Sequence, residues 1–357
     1  MMSMKVGLLG ATGMVGQRFV QFLDGHPQFR LDALFASEHS AGKEYGKVGK
    51  WAIEAPLPDD IAGMEVELTT AKAVVKSGVA LVFSALPSAV AGEVETEIAE
   101  TGVAVFSNAA PHRMDPDVPL LIPEVNAPHL ALAKLQKEDG RAPLITNANC
   151  STTGLVMGLK PLQEQFQIRD VVVSTYQAVT GAGSGGLALL KQPGNVIPYI
   201  SKEEDKMETE SRKIMGKVSR GKIRPADFSV LASCARVWVR DGHLESVVVT
   251  VDEEPSLDEV QEAFAGFKGE IAGRELHTAP AEPVHLFTEE ARPQPALDAL
   301  LGSAEGLPGM GVGVGQVKVS DDGRIRFFVL SHNTIRGSAG GSVLNAELAV
   351  ADGIIGK

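Results

Sequence analysis

Hydrophobic and polar positions alternate along this chain in two different ways. In the first part, short apolar runs are separated by longer segments of helical period. Lys5 to Leu9 ends at a glycine, Gly13 to Leu23 reads as a helix, and Arg30 to Phe35 reads as a second strand. Val79 to Leu86 and Val103 to Phe106 are further strands, with Ala89 to Glu100 helical between them. Strands alternating with helices predict a parallel, doubly wound sheet. Pro111 to Pro128 is proline-rich and reads as an irregular loop over the sheet edge.

Beyond Cys150 the pattern changes. Asp170 to Ala178, Ser229 to Val239, Leu244 to Val251, Gly311 to Val319 and Arg324 to Leu330 read as longer strands, several without a helix between them. That pattern predicts an α+β unit built on a mostly antiparallel sheet. Ser201 to Lys217 and Leu257 to Phe267 are predicted helices, and the apolar segment Ser338 to Ile355 is a helix expected to return to the first unit. The α/β fold expected is therefore a Rossmann-like, doubly wound N-terminal domain, residues 1–149 completed by 334–357, with a second, α+β domain on a mostly antiparallel sheet over 150–333.

Composition narrows the function. A chain of 357 residues usually exceeds one core, which agrees with two domains. The net charge of −12, with no basic cluster, argues against nucleic acid or an anionic membrane surface as partner. Two cysteines far apart exclude a disulfide framework and suit a reducing, cytoplasmic setting. No metal-ligand spacing is found among the cysteines and histidines.

Three stretches carry chemistry. Gly10, Thr12, Gly13, Met14, Val15 and Gly16 lie in a GxxGxxG turn between the first strand and first helix. Glycines there permit a tight turn and close approach to a pyrophosphate, so a dinucleotide is the expected ligand. After the second strand come Ser37, Ser40 and Lys43, which suit the 2′-phosphate of NADP, and Glu38, which suits the 2′-hydroxyl of NAD. The balance predicts a preference for NADP without exclusion of NAD.

The second stretch, Asn147-Ala-Asn-Cys150-Ser151-Thr-Thr-Gly154, reads as a strand, a turn and a helix start. The positive end of a helix favours a thiolate, so Cys150 is expected to have a lowered pKa, with backbone N–H groups ready for an oxyanion. Taken alone, it reads equally as a small buried hydrophobe.

The third stretch supplies partners. His243, in the turn Asp241-Gly-His243, suits proton transfer, and reads as well as a solvated histidine. Arg236, in an apolar strand, calls for a carboxylate. Glu210 and Lys213 share one helix face, as site residues or as an exposed ion pair. Gln177, at a strand end, is suited to orienting an acyl group, and Gly183, in the glycine-rich turn that follows, is a candidate cofactor contact.

GATGMVG at 10–16, NANCSTTGL at 147–155, YQAVTGAG at 176–183, ETESRKI at 208–214, RVWVRDGH at 236–243, RPQPALD at 292–298 and HNTIRGSAGGSVLNAEL at 332–348 together resemble aspartate-β-semialdehyde dehydrogenases of the archaeal and fungal type. The resemblance implies NADPH-dependent reduction of aspartyl 4-phosphate to aspartate 4-semialdehyde with release of inorganic phosphate, on the route to lysine, methionine and threonine, in a homodimer or homotetramer. It implies nucleotide binding for the first domain and catalysis and dimerisation for the second. It implies Cys150 as the acyl-accepting nucleophile, His243 as acid/base and Gln177 as the residue that orients the thioester. Arg236 corresponds to the grip on the α-carboxylate and Glu210 to the contact with the α-amine. Lys213, Arg113 and Asn149 correspond to the phosphate site, and Asn333 to a residue near the nicotinamide amide. The same branch resembles malonyl-CoA reductases, whose substrate lacks the amine. N-acetylglutamyl-phosphate reductase fits the DGH and RPQP contexts poorly. A nucleotide-sensing protein without activity fits less well still, because nucleophile and base are both present.

Overall fold

The computed structural model describes residues 3–183, 185, 193–302 and 308–356. Seven strands form the first sheet: β1 (Met4–Leu9), β2 (Phe29–Ala36), β3 (Val66–Leu68), β4 (Leu81–Ser84), β5 (Ala104–Ser107), β6 (Leu120–Leu121) and β7 (Leu144–Asn147). They lie in the order β3-β2-β1-β4-β5-β7-β6, all parallel. Helices cover both faces, so β4, β5 and β7 are buried at every position. The strand order reverses between β1 and β4, and a ligand crevice belongs at such a reversal, beyond the carboxyl ends of the strands.

Gly10 sits there. Its φ is +72°, and a Cβ on it would lie 2.6 Å from the Ala85 carbonyl oxygen. Gly16, one turn into the following helix Met14–Leu23, would place a Cβ 2.4 Å from the Gly10 oxygen. Any side chain at either position would push the helix off the sheet.

Another seven-stranded sheet comprises β8 (Ile168–Gln177), β9 (Val196–Ile197), β12 (Ser229–Val237), β13 (His243–Val251), β14 (Val284–Leu286), β15 (Val312–Val319) and β16 (Ile325–Ser331). Its order is β14-β15-β16-β13-β8-β12-β9; a hairpin of β10 (Lys217–Ser219) and β11 (Lys222–Arg224) stands apart. Only β8–β12 and β14–β15 pair parallel, so this sheet is mostly antiparallel. One face packs on the helix Cys150–Gln165, and the strands alternate accordingly: β13 is buried at every odd-numbered residue from His243 to Val251.

The last helix, Gly340–Ala351, returns to the first sheet; Val343, Leu344 and Leu348 pack in one core with Val6, Phe19 and Phe83. It does not begin at Ser338 as a continuous helix. Residues Ile335–Ala339 form a wider turn, broken at Ser338 with φ −151° and ψ −105°. The segment expected to be an irregular loop, Pro111 to Pro128, also contains the edge strand β6 and a helical turn, Pro123–Asn126. Two residues are too few to show a strand period. The pairing is made by β7, whose Thr146 donates from both N–H and Oγ1 to the Pro119 carbonyl.

Candidate active site

The helix that opens with Cys150 starts at the carboxyl end of β7, where Asn149 caps it. Asn149 Oδ1 accepts from the N–H of Ser151 at 3.0 Å and of Thr152 at 3.1 Å. The Asn149 N–H itself goes to Glu210 Oε2, at 2.8 Å. These groups are therefore committed to holding the turn. Of the backbone donors expected for an oxyanion, those of Ser151 and Thr152 are taken by the cap.

The second sheet supplies what the turn does not. Gln177 pairs with Arg236 across β8 and β12, and Leu244 pairs with Tyr176 across β13 and β8. Three strand ends thus bring Arg236, Gln177 and His243 side by side beneath Cys150. His243 Nε2 lies 3.3 Å from Cys150 Sγ. Its Nδ1 accepts the Ala178 N–H at 3.0 Å, so in the neutral ring the proton is on Nε2, facing the sulfur. His243 is set as a donor to the sulfur. The base half of its expected acid/base role would need that proton on Nδ1, where the Ala178 N–H already points.

The thiol departs from expectation too. Burial and the neighbouring Glu203 carboxylate push Cys150 up to about 12, outweighing Arg236 and Arg113, which pull it down. Burial holds His243 well below its usual value, helped by Arg236 and His332. The resting pair is a neutral thiol beside a neutral imidazole, not a preformed thiolate. A helix end lowers a thiol pKa through its open N–H groups, and here the cap takes those of Ser151 and Thr152.

Cys150, half-buried, opens on a cleft of about 400 Å³. Val15, Arg113, Asn149, Gly183, Arg236 and Asn333 also line it, so the start of the helix Met14–Leu23 and the thiol share one space. Larger cavities of about 870 and 700 Å³ lie elsewhere and do not include Cys150. Arg113 donates to Glu210 Oε1 at 3.0 Å and to the Asn108 carbonyl at 2.7 Å, while its buried Nε has no partner among the described residues. An orphan guanidinium donor beside the nucleophile suits an oxyanion of phosphate. Gly181 makes room on the other side: a Cβ there would lie 2.8 Å from Arg236 Nη1 and 3.0 Å from His243 Cε1.

Two expected contacts are placed differently. Glu210 and Lys213 are buried but do not line the cleft. Both Glu210 oxygens are engaged, by Arg113 and by the Asn149 N–H. Lys213 donates to the carbonyls of Arg113, Asp115 and Val118 at 2.7, 2.7 and 2.9 Å, and burial lowers it to about 8. They shape the loop and the helix mouth from below, neither as an exposed ion pair nor as direct ligands of a small molecule. Asn333 is tied as well, accepting from the Gly242 N–H at 3.0 Å and donating to Thr180 Oγ1 at 2.9 Å.

The residues that do face the cleft from the same helix are Glu203 and Lys206, which form an ion pair of 3.2 Å. Glu203, Lys206, Glu210 and Lys213 follow one another at three- and four-residue steps, so they form one stripe. That spacing was visible in the sequence. Which end of the stripe reaches the cleft was not. Glu245 was missed entirely: it is buried two residues beyond His243, neither oxygen has a hydrogen-bond partner among the described residues, and burial raises it well above the usual range.

The dinucleotide side fits its expected ligand. No side chain caps the helix Met14–Leu23, and a Cβ on Gly13 would meet only the Gly10 oxygen, at 3.5 Å. Those N–H groups stand open to a phosphate. Ser37, Glu38 and Lys43 are exposed in the turn after β2, with Ser40 half-buried among them. Among the described residues no group of three or more His, Cys, Asp or Glu side chains could hold a metal.

A doubly wound parallel sheet with an open phosphate turn, sharing its cleft with a thiol that an imidazole contacts, defines a dinucleotide-binding α/β protein with a thiol–imidazole pair at the nucleotide cleft. Residues 5–133 match the family described as semialdehyde dehydrogenase, NAD binding domain, and residues 159–336 match semialdehyde dehydrogenase, dimerisation domain. The chain is 46% identical over 349 residues to an aspartate-semialdehyde dehydrogenase of Methanothermobacter thermautotrophicus, covering 96% of this chain and 98% of the relative. It is 36% identical over 359 residues to a malonyl CoA reductase (NADP) of Metallosphaera sedula, covering 99% of each. The crystal structure of aspartate semialdehyde dehydrogenase with NADP from Candida albicans superposes with a TM-score of 0.89 at 37% identity, over 99% of this chain and 100% of that one. The chain belongs to the aspartate-semialdehyde dehydrogenase family, of the archaeal and fungal type.

Proposed function

We propose that this protein reduces L-aspartyl 4-phosphate to L-aspartate 4-semialdehyde with NADPH, releasing inorganic phosphate, in lysine, methionine and threonine biosynthesis. The observation that carries the reading is the 3.3 Å contact of Cys150 Sγ with His243 Nε2 on a cleft shared with Arg236, Arg113 and the phosphate turn. Arg236 grips the α-carboxylate and Gln177 orients the acyl group. Arg113 receives the phosphate through its unengaged Nε, beside the turn that Asn149 caps. The thiol attacks the acyl carbon; the S–C bond forms and the bond to phosphate breaks. The thiol proton leaves with the phosphate as hydrogen phosphate, which agrees with a pair that is neutral until substrate arrives. NADPH, when bound, supplies a hydride to the thioester carbon. His243 Nε2–H then stabilises the oxygen that gains charge, and later the thiolate expelled as the aldehyde is released.

Gly10, Thr12, Gly13, Met14, Val15 and Gly16 are proposed to hold the pyrophosphate, with Ser37, Ser40 and Lys43 toward the 2′-phosphate and Gly183 and Asn333 toward the nicotinamide. The proposed domains are 1–149 with 334–357, and 150–333. A homodimer or homotetramer is supported by apolar side chains on the outer face of the second sheet, Val172, Tyr176 and Leu231, which are 47, 40 and 62% exposed. The cytoplasm is the proposed setting, supported by two free cysteines, Cys150 and Cys234.

The malonyl CoA reductase relative supports a second reading, thioester reduction at the same cysteine. The test is phosphate-dependent reduction of NADP by aspartate semialdehyde, run beside malonate semialdehyde with coenzyme A. Turnover on the first, with higher kcat/KM for NADP than for NAD, is expected; turnover on the second alone would reverse the assignment.

A further inference from the structure

We propose that Glu245 is a positioning residue for the thiol–imidazole pair: a water molecule bridges its carboxyl group and the Ser331 hydroxyl beneath the Cys150 helix, and fixes that helix start against the strand end that carries His243. The inference rests on the reading of Cys150 as the nucleophile. Glu245 lies two residues beyond His243 on β13, and both side chains belong to the buried face of the strand. Ser331 is the register partner of His243 on the neighbouring strand β16. A Cβ on Gly154, in the second turn of the helix that opens with Cys150, would lie 2.8 Å from Ser331 Oγ and 3.4 Å from Glu245 Oε1. The two oxygens thus converge on one spot of the helix, where a glycine leaves space. Gly158, one turn further on, faces Phe327 and Val329 instead, so the polar spot is confined to the helix start.

Both Glu245 oxygens and Ser331 Oγ are buried without a hydrogen-bond partner among the described residues. So is Ser151 Oγ, three residues before Gly154 on the same helix face. Buried polar groups are paired in native proteins, by ordered water where no protein group reaches, and such a water makes about three hydrogen bonds. A carboxyl and two hydroxyls around a glycine supply that number. A water held there ties the helix to β13 and β16 directly below the 3.3 Å contact of Cys150 with His243. The titratable groups around the carboxyl are His243 on its own strand, Cys150 on the helix, Cys234 on β12 and Glu203 on the helix Glu203–Ile214. Burial and the Glu203 charge both favour the protonated acid, and no arginine or lysine opposes them. Glu245 therefore offers one donor and one acceptor and adds no negative charge beneath a thiol that Glu203 already raises.

The test compares wild type with Glu245→Gln, Glu245→Leu and Ser331→Ala in the phosphate-dependent oxidation of aspartate semialdehyde by NADP, with Tm as the check on folding. Glutamine offers a donor and an acceptor as the protonated acid does, and leucine fills a similar volume with neither. Glu245→Gln should keep kcat within about threefold and leave the pH profile of Cys150 alkylation by iodoacetamide in place, since no charge is removed. Glu245→Leu should lower kcat about 100-fold, the cost of misplacing a reacting group by about 1 Å, while KM for aspartate semialdehyde changes by less than about threefold. Ser331→Ala should lower kcat about tenfold with the same constancy of KM, and it carries the test if the leucine variant does not fold. Added to Glu245→Leu it should cost nothing more, because the bridge is then already broken. A crystal structure of the wild type should show the water within hydrogen-bond reach of Glu245 and Ser331. Full kcat in Glu245→Leu or Ser331→Ala, additive losses, or density without that water would overturn the inference while leaving the proposed reaction standing. A loss in Glu245→Gln as large as in Glu245→Leu, with the alkylation profile moved to lower pH, would show a carboxylate in place of the acid and overturn it likewise. Wild type inactive on aspartate semialdehyde would overturn both.

Discussion

Two helices in this molecule begin at the carboxyl end of a parallel strand and open into the same cleft, and they use that position in opposite ways. The helix Met14–Leu23 has no side-chain cap and starts on Gly13, while the helix Cys150–Gln165 is capped by Asn149, which takes two of its first N–H groups. The first keeps its donors for a diffusible anion. The second uses two of them to hold its own turn, and the groups set beside Cys150 are His243, 3.3 Å from the sulfur, with Arg236 and Arg113 on the same cleft. A helix start is thus an anion site only where the residue before it leaves the donors open.

The largest effect should come from removing the sulfur. Cys150→Ala should abolish turnover, and Cys150→Ser should retain a trace at most, because a hydroxyl is far less acidic than a thiol. Mass spectrometry after treatment with an electrophilic substrate analogue should find the label on Cys150 and not on buried Cys234. Full activity of the alanine variant would remove the covalent mechanism.

Next comes closing the open helix. Gly13 has the extended backbone of a cap, φ −75° and ψ 168°, and space for a Cβ, so Gly13→Asp should fold. Its carboxylate would occupy the phosphate position, and we expect KM for NADPH to rise about tenfold or more. Alkylation of Cys150 should be unchanged. An unaltered KM would mean that the pyrophosphate does not bind at this turn.

A smaller effect is the pH dependence of alkylation. With the thiol pushed up to about 12, the rate of reaction of the free enzyme with iodoacetamide should still be climbing above about pH 10, where an ordinary thiol has levelled off. Glu203→Gln removes one cause of that rise, so its profile should lie at lower pH. A wild-type profile that levels off below pH 8 would show that the helix start does activate the sulfur after all.

The smallest effect is the reverse of the glycine substitution. Asn149→Ala strips the cap from the Cys150 helix and should cost about 1 kcal/mol of stability, read as a lower Tm. An unchanged Tm would mean that the hydrogen bonds of Asn149 to Ser151 and Thr152 contribute nothing net.

Much of this was legible along the chain. The alternation of short apolar runs with helical segments identified the first sheet, and the longer strands after Cys150 identified the second. The glycine turn and the cysteine at a helix start were readable because both depend on local spacing. The two-residue β6 was not, since its partner β7 creates it. Along the stripe Glu203, Lys206, Glu210 and Lys213, helical period shows that the four share a face but is blind to depth.

The sequence by itself thus determined the two sheet types, the glycine turn after the first strand and the place of Cys150 at a helix start. Tertiary structure decided the rest. It determined which nitrogen of His243 carries the proton, because the Ala178 N–H comes from another strand. It raised the Cys150 thiol, because burial and Glu203 reach it from a different helix. It also chose Glu203 over Glu210 for the cleft wall. Protonation and solvent access depend on groups brought together from distant parts of the chain, and local pattern carries no record of those distances.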